Sequence, residues 1–231
     1  MKIEGSIALV TGANRGLGLA YAKALLAAGA RKVYAGARDP STVTLAGVVP
    51  VKLDVNNPAD VAAAAKQCSD VTIVINNAGI IGGTPLLADG GDDALRTVME
   101  TNLYGILSVS RAFAPVLRAN GGGALVNMLS ALSWVSLPMS GAYSVSKAAA
   151  WALSNGLRNE LKAQGTLVVS VHAGYIDTDM VKSVDAPKVK PEAIAQAVID
   201  GIEAGSTEVL ADDTARHVKK GLGTEPAIYL G

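Results

Sequence analysis

Short, unbroken apolar runs alternate with longer Ala- and Leu-rich stretches along nearly the whole chain. "SIALVTG" (6–12) is followed by "GLGLAYAKALLAAGA" (16–30), then by "KVYAGA" (32–37) and "VVPVKLDV" (48–55). "PADVAAAAKQC" (58–68) precedes "VTIVINN" (71–77), and a long helical region from Asp93 to Asn120, interrupted by Pro115, precedes "GALVNMLS" (123–130). A helix from Ala142 to Gln164 leads to "TLVVSVHAG" (166–174), and "PEAIAQAVIDGIEAG" (191–205) leads to the last short run, "TEVLA" (207–211). Strands without polar alternation are buried on both faces, and strands that alternate with helices build parallel sheets. The chain is therefore predicted to be α/β, a doubly wound parallel sheet with helices on both faces.

At 231 residues one domain, spanning 1–231, accounts for the length. Only 4% of the residues are aromatic, so the core has to be built from Ala, Val, Leu and Ile. Lys plus Arg balance Asp plus Glu at 20 each, which leaves no electrostatic footprint for a nucleic acid or an anionic membrane. Cys68 is the sole cysteine and the start carries no signal-like segment, so a cytoplasmic protein without disulfides is expected. No apolar run approaches the length needed to span a bilayer. His172 and His217 do not form a spaced ligand set with Cys68, and no metal site is expected. Only "DAPKVKP" (185–191) and the tail after Gly221 look irregular.

Two features carry chemistry. In "SGAYSVSKAAAWAL" (140–153) a phenol and an ammonium, Tyr143 and Lys147, stand at i and i+4 among strong helix formers, so they share one helix face. A phenol ionises near ~10 and a lysine near ~10.4, so neither alone carries protons effectively at neutral pH. A fixed ammonium beside the phenol stabilises the phenolate and makes a general acid and base of the pair. The same spacing also fits a half-buried tyrosine beside a solvated lysine. Second, the first strand-to-helix turn reads Thr11-Gly12-Ala13-Asn14-Arg15-Gly16-Leu17-Gly18. Glycines there let the backbone approach a pyrophosphate, while the helix start offers free N–H groups; a tight connection is the alternative.

The turn, Thr-Gly-x-x-x-Gly-x-Gly, resembles that of the short-chain dehydrogenase/reductase family. So do Asn76-Asn77-Ala78-Gly79 at the end of the fourth strand, Asn102 in "METNLYG", Ser130 at the end of the fifth, and Tyr143 and Lys147 beyond it. The resemblance runs from residue 5 to about 211 and implies a Rossmann-type fold that binds a nicotinamide dinucleotide. It implies that Tyr143 exchanges a proton with the substrate's carbonyl oxygen and that Ser130 hydrogen-bonds that oxygen. Lys147 would hold the ribose hydroxyls and lower the pKa of Tyr143, and Asn102 would keep a water that links Lys147 to solvent. Gly12, Asn14, Arg15, Gly16, Leu17, Gly18, Asn77, Ala78 and Gly79 would contact the cofactor, with Asp54 and Val55 at the adenine. Gly174, Ile176 and Thr178 would lie at the nicotinamide. Ala173 stands where the family usually has proline, so that turn loses a φ restraint.

Arg38 lies twenty residues past Gly18, where an acidic residue would bind the ribose 2′-hydroxyl of NAD. With Arg15 it could clamp a 2′-phosphate, so the expected cofactor is NADP(H). Asp39 could instead serve a ribose hydroxyl, which keeps NAD(H) as the alternative. A short substrate loop spans 179–190, and Ile81, Leu132 and Trp134 belong to a mostly apolar cleft wall without Arg or Lys. The expected reaction is reduction of a neutral, lipophilic ketone or aldehyde to an alcohol, and the reverse. Two alternatives stay open: a 3-oxoacyl thioester reductase, which would call for basic residues at the pocket mouth and which Lys182, Lys188 and Lys190 leave open, and a cofactor-binding sensor without turnover. The helices at 103–118 and 142–161, with Phe113, Val116, Trp151 and Leu153, are apolar nearly all round, so the core or a second subunit has to cover them. A homodimer or homotetramer is expected, with "EPAIYLG" (225–231) as a further docking segment.

Overall fold

The first strand, β1 (Ile7–Thr11), is buried along its length, and its side chains divide by parity. Ile7 and Leu9 enter one apolar layer, Ala8 and Val10 the other. This is the period of two of an extended strand, apolar on both faces because helices cover both. The computed structural model describes residues 1–230; Gly231, the last residue of the expected docking segment, lies outside the described residues. Six further strands follow: β2 (Lys32–Ala37), β3 (Val49–Lys52), β4 (Ile73–Asn76), β5 (Ala124–Met128), β6 (Leu167–His172) and β7 (Glu208–Leu210). All pair in parallel in the order β3-β2-β1-β4-β5-β6-β7. The winding reverses between β1 and β4, as expected for a doubly wound α/β sheet.

The helices are α1 (Gly16–Ala27), α2 (Pro58–Gln67), α3 (Gly91–Met99), α4 (Gly105–Ala119), α5 (Gly141–Leu161), α6 (Pro191–Ala204) and α7 (Asp213–Gly221). On one face α1 and α6 set Tyr21, Leu25, Ile194, Val198 and Ile202 against Val10, Val33, Ile75, Val126 and Val171. On the other, α2, α4 and α5 set Val61, Phe113, Leu117, Leu157 and Leu161 against Leu9, Val74, Leu125 and Val168. Each such side chain, fully buried, contributes about 1.5–3 kcal/mol. Phe113, the chain's single phenylalanine, is fully buried in this layer.

The helical region after β4 departs from its predicted form. Pro115 does not interrupt it: α4 runs through this exposed residue to Ala119, at the cost of the one hydrogen bond the missing N–H would have made. The break lies earlier, where Glu100–Tyr104 forms a π-helical turn that joins α3 to α4 and places Asn102 inside. The sequence reading also passed over α7. Its signal is present in the Asp212 cap, Ala215 and Val218 on one face, and Lys219 and Lys220 in the last turn.

Asp212 is buried and does two jobs: Oδ1 accepts the Ala215 N–H at 2.8 Å and Oδ2 accepts the Gly174 N–H at 2.7 Å. Asp212→Ala removes a helix cap and orphans a buried amide, so it is expected to lower stability by about 2–3 kcal/mol in urea unfolding. Asp213→Ala, at an exposed neighbour, is the control and is expected to stay within about 0.5 kcal/mol of wild type.

Candidate active site

The reversal between β1 and β4 leaves a crevice at the carboxyl ends of the two strands, and one hydroxyl holds its edges together. Thr11 Oγ1 accepts the backbone N–H groups of Asn77 and Ala78, each at 2.9 Å. The Asn77 amide answers from the other side, donating to the carbonyl of Thr11 at 2.8 Å and to that of Gly12 at 3.4 Å. Gly12 takes φ +65°, a left-handed value that favours glycine, and a Cβ on Gly18 would run into the Gly12 carbonyl oxygen. The turn therefore packs backbone against backbone, and its N–H groups at the start of α1 form the cradle that a pyrophosphate fits. Leu17 is buried beneath the turn, while Arg15 is exposed above it.

The four expected catalytic residues converge across the crevice. A Cβ placed on Gly79 would lie 3.2 Å from Asn102 Oδ1 and 3.7 Å from Lys147 Nζ. Tyr143 and Lys147 share one face of α5, with Nζ 5.6 Å from the centre of the phenol ring, and the Ser130 hydroxyl hydrogen-bonds the phenol. The π turn points Asn102 inward, where its Oδ1 accepts the Ile80 N–H at 2.9 Å. Its Nδ2 donates to Ile80 O at 2.9 Å and to Ser146 Oγ at 3.0 Å. These bonds join the Ile80 loop to the catalytic helix. Ser146, which donates to the Tyr143 carbonyl at 2.7 Å, was missed in the sequence because nothing distinguishes it from its serine neighbours.

Burial governs the electrostatics. It pushes the Tyr143 phenol up to about 12, against the hydrogen bond from Ser130, which favours the phenolate. It pulls the Lys147 ammonium down to about 8. Lys147 donates to the carbonyl of Met128 at 2.8 Å, one of three hydrogen bonds the ammonium can make. In this arrangement desolvation outweighs the expected lowering of the Tyr143 pKa by Lys147.

At the adenosine end Arg38 is exposed at the tip of β2, and Lys52 Nζ donates to its carbonyl at 2.8 Å. Asp39 is turned to cap a short 3-10 helix (Pro40–Thr42): one carboxylate oxygen accepts the Ser41 N–H at 3.0 Å and the Ser41 hydroxyl at 2.7 Å. These bonds hold its carboxyl below the usual range and engage one of its two oxygens. Asn14 Nδ2 donates to Thr42 Oγ1 at 3.2 Å. Asp54 Oδ1 accepts the Asn56 N–H at 3.0 Å, and Val55 is buried against Gly105.

At the other end the segment after β6 lies against the glycine turn, where the Thr178 methyl meets Gly16. Ile176 bridges to Val189 and closes the base of the 179–190 loop, and Arg15 pairs with Asp179 at 3.7 Å. Ala173 leaves the turn tied rather than loose. Its carbonyl accepts the Ala131 N–H at 2.9 Å, and Asp212 holds the next amide, so two side-chain and backbone bonds replace a proline's restraint. Ile81 is exposed and Leu132 partly buried. Trp134, expected in the cleft wall, stacks on His172 at 3.8 Å and meets the edge of Trp151. Leu86 reaches over Gly141 at the start of α5; among the described residues Met139, just before it, is the one non-glycine at positive φ, +65°. Strain of that kind gathers at functional sites.

His172 is fully buried, and desolvation pulls its pKa down to about 4. Between that value and the unfolded ~6.5 the unfolded chain binds the extra proton, so stability is lost as pH falls through this window. Acidification from pH 7 to 4.5 is expected to cost wild type roughly 2 kcal/mol more than His172→Asn, read by urea unfolding at both pH values.

Comparison with known proteins places this geometry. The family model of short chain dehydrogenases matches residues 6–188. A crystal structure of a short chain dehydrogenase from Burkholderia cenocepacia in complex with NADP superposes with a TM-score of 0.94 at 42% identity, covering 98% of this chain and 96% of that one. An uncharacterized oxidoreductase of Staphylococcus haemolyticus is 32% identical over 211 residues, 86% of this chain and 91% of that protein. The 3-oxoacyl-[acyl-carrier-protein] reductase FabG of Salmonella typhimurium is 31% identical over 192 residues, 79% of this chain and 78% of that protein.

Proposed function

The chain belongs to the short-chain dehydrogenase/reductase family and is an NAD(P)-dependent oxidoreductase, and we propose that it uses NADP(H) to reduce a neutral, lipophilic ketone or aldehyde to the alcohol. The observation that carries this reading is the convergence of Ser130, Tyr143 and Lys147 on one crevice beside a glycine turn that a pyrophosphate fits. The whole chain acts as one dinucleotide-binding and catalytic domain, with 179–190 as its short substrate loop. When bound, the nicotinamide supplies the hydride that becomes the new C–H bond of the alcohol.

The chain's own residues supply the rest. Ser130 donates its hydroxyl hydrogen to the carbonyl oxygen and withdraws charge from it. Tyr143, protonated at neutral pH because burial holds its pKa high, gives its proton to the same oxygen as the C=O bond becomes C–O–H. Lys147 is positively charged below about pH 8 and stabilises the phenolate left behind, while its remaining N–H groups hold the ribose hydroxyls. Asn102 keeps the Ile80 loop and α5 in register, with both ends of its amide engaged there. Arg38 and Arg15 receive the 2′-phosphate; the capping role of Asp39 and the NADP in the Burkholderia relative favour this over NAD.

Ile81 and Leu86, in the loop after β4, and Leu137 and Met139, just before α5, are exposed, which favours an apolar substrate. The FabG relative, with Lys182, Lys188 and Lys190 near the substrate loop, favours a second reading, 3-oxoacyl thioester reduction.

The test is oxidation of NADPH and of NADH by the purified protein across neutral ketones, aldehydes, keto acids and 3-oxoacyl thioesters. NADPH turnover on a neutral carbonyl is expected, falling by about 10²–10⁴-fold in Tyr143→Phe. Arg38→Ser is expected to raise the KM for NADPH about tenfold with little change for NADH. Thioester turnover exceeding that of every simple ketone would replace the first reading by the second, and binding without any turnover would remove both.

The same family membership supports assembly through α4 and α5. Tyr104, at the π turn before α4, and Val145, on α5, stay exposed at 51% and 41%, although Phe113 is absorbed by the core. We propose a cytoplasmic homodimer or homotetramer, and light scattering at micromolar concentration is expected to return two or four times the chain mass; a monomer mass sinks it.

A further inference from the structure

His172, at the end of β6, has no part in the chemistry described above, yet it is fully buried and touches Ser130 directly. Its Nδ1 lies 2.9 Å from the Ser130 carbonyl oxygen. A ring lone pair cannot face a carbonyl oxygen at that distance, so Nδ1 carries the hydrogen and donates it. Ser130 sits just beyond β5, where the chain leaves the strand ladder. Leu129 N–H still reaches Val171 O at 2.8 Å and Ala131 N–H reaches Ala173 O at 2.9 Å, and the His172 side chain holds the carbonyl between them.

The imidazole is itself held on several sides. Trp134 stacks on it with centroids 3.8 Å apart and planes 18° apart, and Trp151 meets Trp134 edge-on at 6.3 Å. The Lys219 ammonium stands 4.7 Å over the Trp134 ring and donates to Glu208 at 2.9 Å. Glu208 Oε1 lies 3.8 Å from His172 Nε2, too far for a hydrogen bond, and that nitrogen has no partner. A buried nitrogen left unpartnered is a cost that the fold tolerates while the other nitrogen is used.

We propose that His172 is the positioning residue of Ser130: its Nδ1–H fixes the Ser130 carbonyl, and the Trp134 ring and the Glu208–Lys219 pair hold the imidazole in place. With the Leu129 and Ala131 amides already held by β6 and the chain beyond it, fixing the carbonyl stops the remaining rotation of the peptide plane at Ser130 and pins the backbone from which Oγ reaches. Ser130 Oγ accepts the Leu132 N–H at 3.1 Å and donates to the Ala173 carbonyl at 3.4 Å, a long bond that its hydrogen gives up when it turns to the substrate oxygen. A misplacement of this hydroxyl on the ~1 Å scale costs up to about 10²-fold in rate. The inference rests on the reading that Ser130 serves the substrate's carbonyl oxygen.

The experiment measures kcat, KM and Tm of the full chain for His172→Asn, His172→Gln and His172→Leu beside Ser130→Ala. The amide nitrogen of Asn is one bond from Cγ, as Nδ1 is, whereas that of Gln lies one atom further out. The expected result is a kcat at least about tenfold down in His172→Gln and His172→Leu, with the KM for NADPH within about twofold of wild type. His172→Asn is expected to return to within about threefold of the wild-type kcat although it loses the stacked ring and as much Tm as His172→Gln. Equal kcat in Asn and Gln variants overturns the proposal, whether both match wild type or both fall with Tm. That comparison stands even where the leucine variant does not fold. Wild-type kcat in Ser130→Ala would instead overturn the reading of Ser130 on which the proposal rests.

Discussion

The Thr11 hydroxyl, with two backbone amides of the neighbouring strand donating to it, is the junction on which the site depends. Where a doubly wound sheet reverses, β1 and β4 diverge and their last peptide groups lose their ladder partners. Backbone groups in a partly dry crevice need replacements, because each one left unpaired costs about as much as a lost hydrogen bond. Thr11 and Asn77 provide them mutually, so the glycine turn above β1 and the Asn77-Ala78-Gly79 segment above β4 move as one piece. The glycine turn and the Asn77-Ala78-Gly79 segment are thereby held at one height above the sheet. The Asn77 side chain, expected at the cofactor, is better understood as the brace that keeps Gly12 where a phosphate can approach it.

Polar groups continue inward from this junction. Asn76 donates to Ser110 and to Asn127, and Asn127 donates to Ser154, a chain of buried bonds linking β4 and β5 to α4 and α5. Apolar packing alone would let α5 slide along the sheet, since contacts among Ala, Val and Leu have little direction. Directed hydrogen bonds fix its register, and with it the height of Tyr143 and Lys147. The same dry surroundings set the chemistry. They keep a phenol protonated at neutral pH and bring a lysine to about 8, closer to its switching point than it would be in water.

The fold was legible because its signal is repeated: seven short apolar runs in helical surroundings admit few architectures. The four candidate catalytic residues were named through a family resemblance carried by motifs in order, and the structure brings them to one crevice. The helix α7 was not, since its apolar face is only Ala215 and Val218 and its start is marked by an aspartate whose second oxygen serves a distant amide. The place of Pro115 in a helix was misread because one missing hydrogen bond does not by itself end a helix. The roles of His172 and Ser146 were invisible for a different reason. Each acts through one contact between elements distant in sequence, and no periodicity encodes which side chain meets which carbonyl.

The cofactor question shows how a local rule and its context interact. Read alone, Arg38-Asp39 offers both answers: a guanidinium for a phosphate, a carboxylate for a hydroxyl. The next residues favour the guanidinium, in line with the NADP(H) proposed above. Pro40 cannot donate an N–H and starts a helical turn, so the turn takes its cap from the residue before it, and Asp39 bonds Ser41 twice through one oxygen. To serve a ribose hydroxyl it would have to abandon that cap or use its other oxygen at an angle the cap dictates. Arg38 has no such tie, since only its backbone carbonyl is engaged, by Lys52. At the tip of β2 the carboxylate is therefore bound in place and the guanidinium is free to turn, an arrangement that suits a phosphate over a hydroxyl.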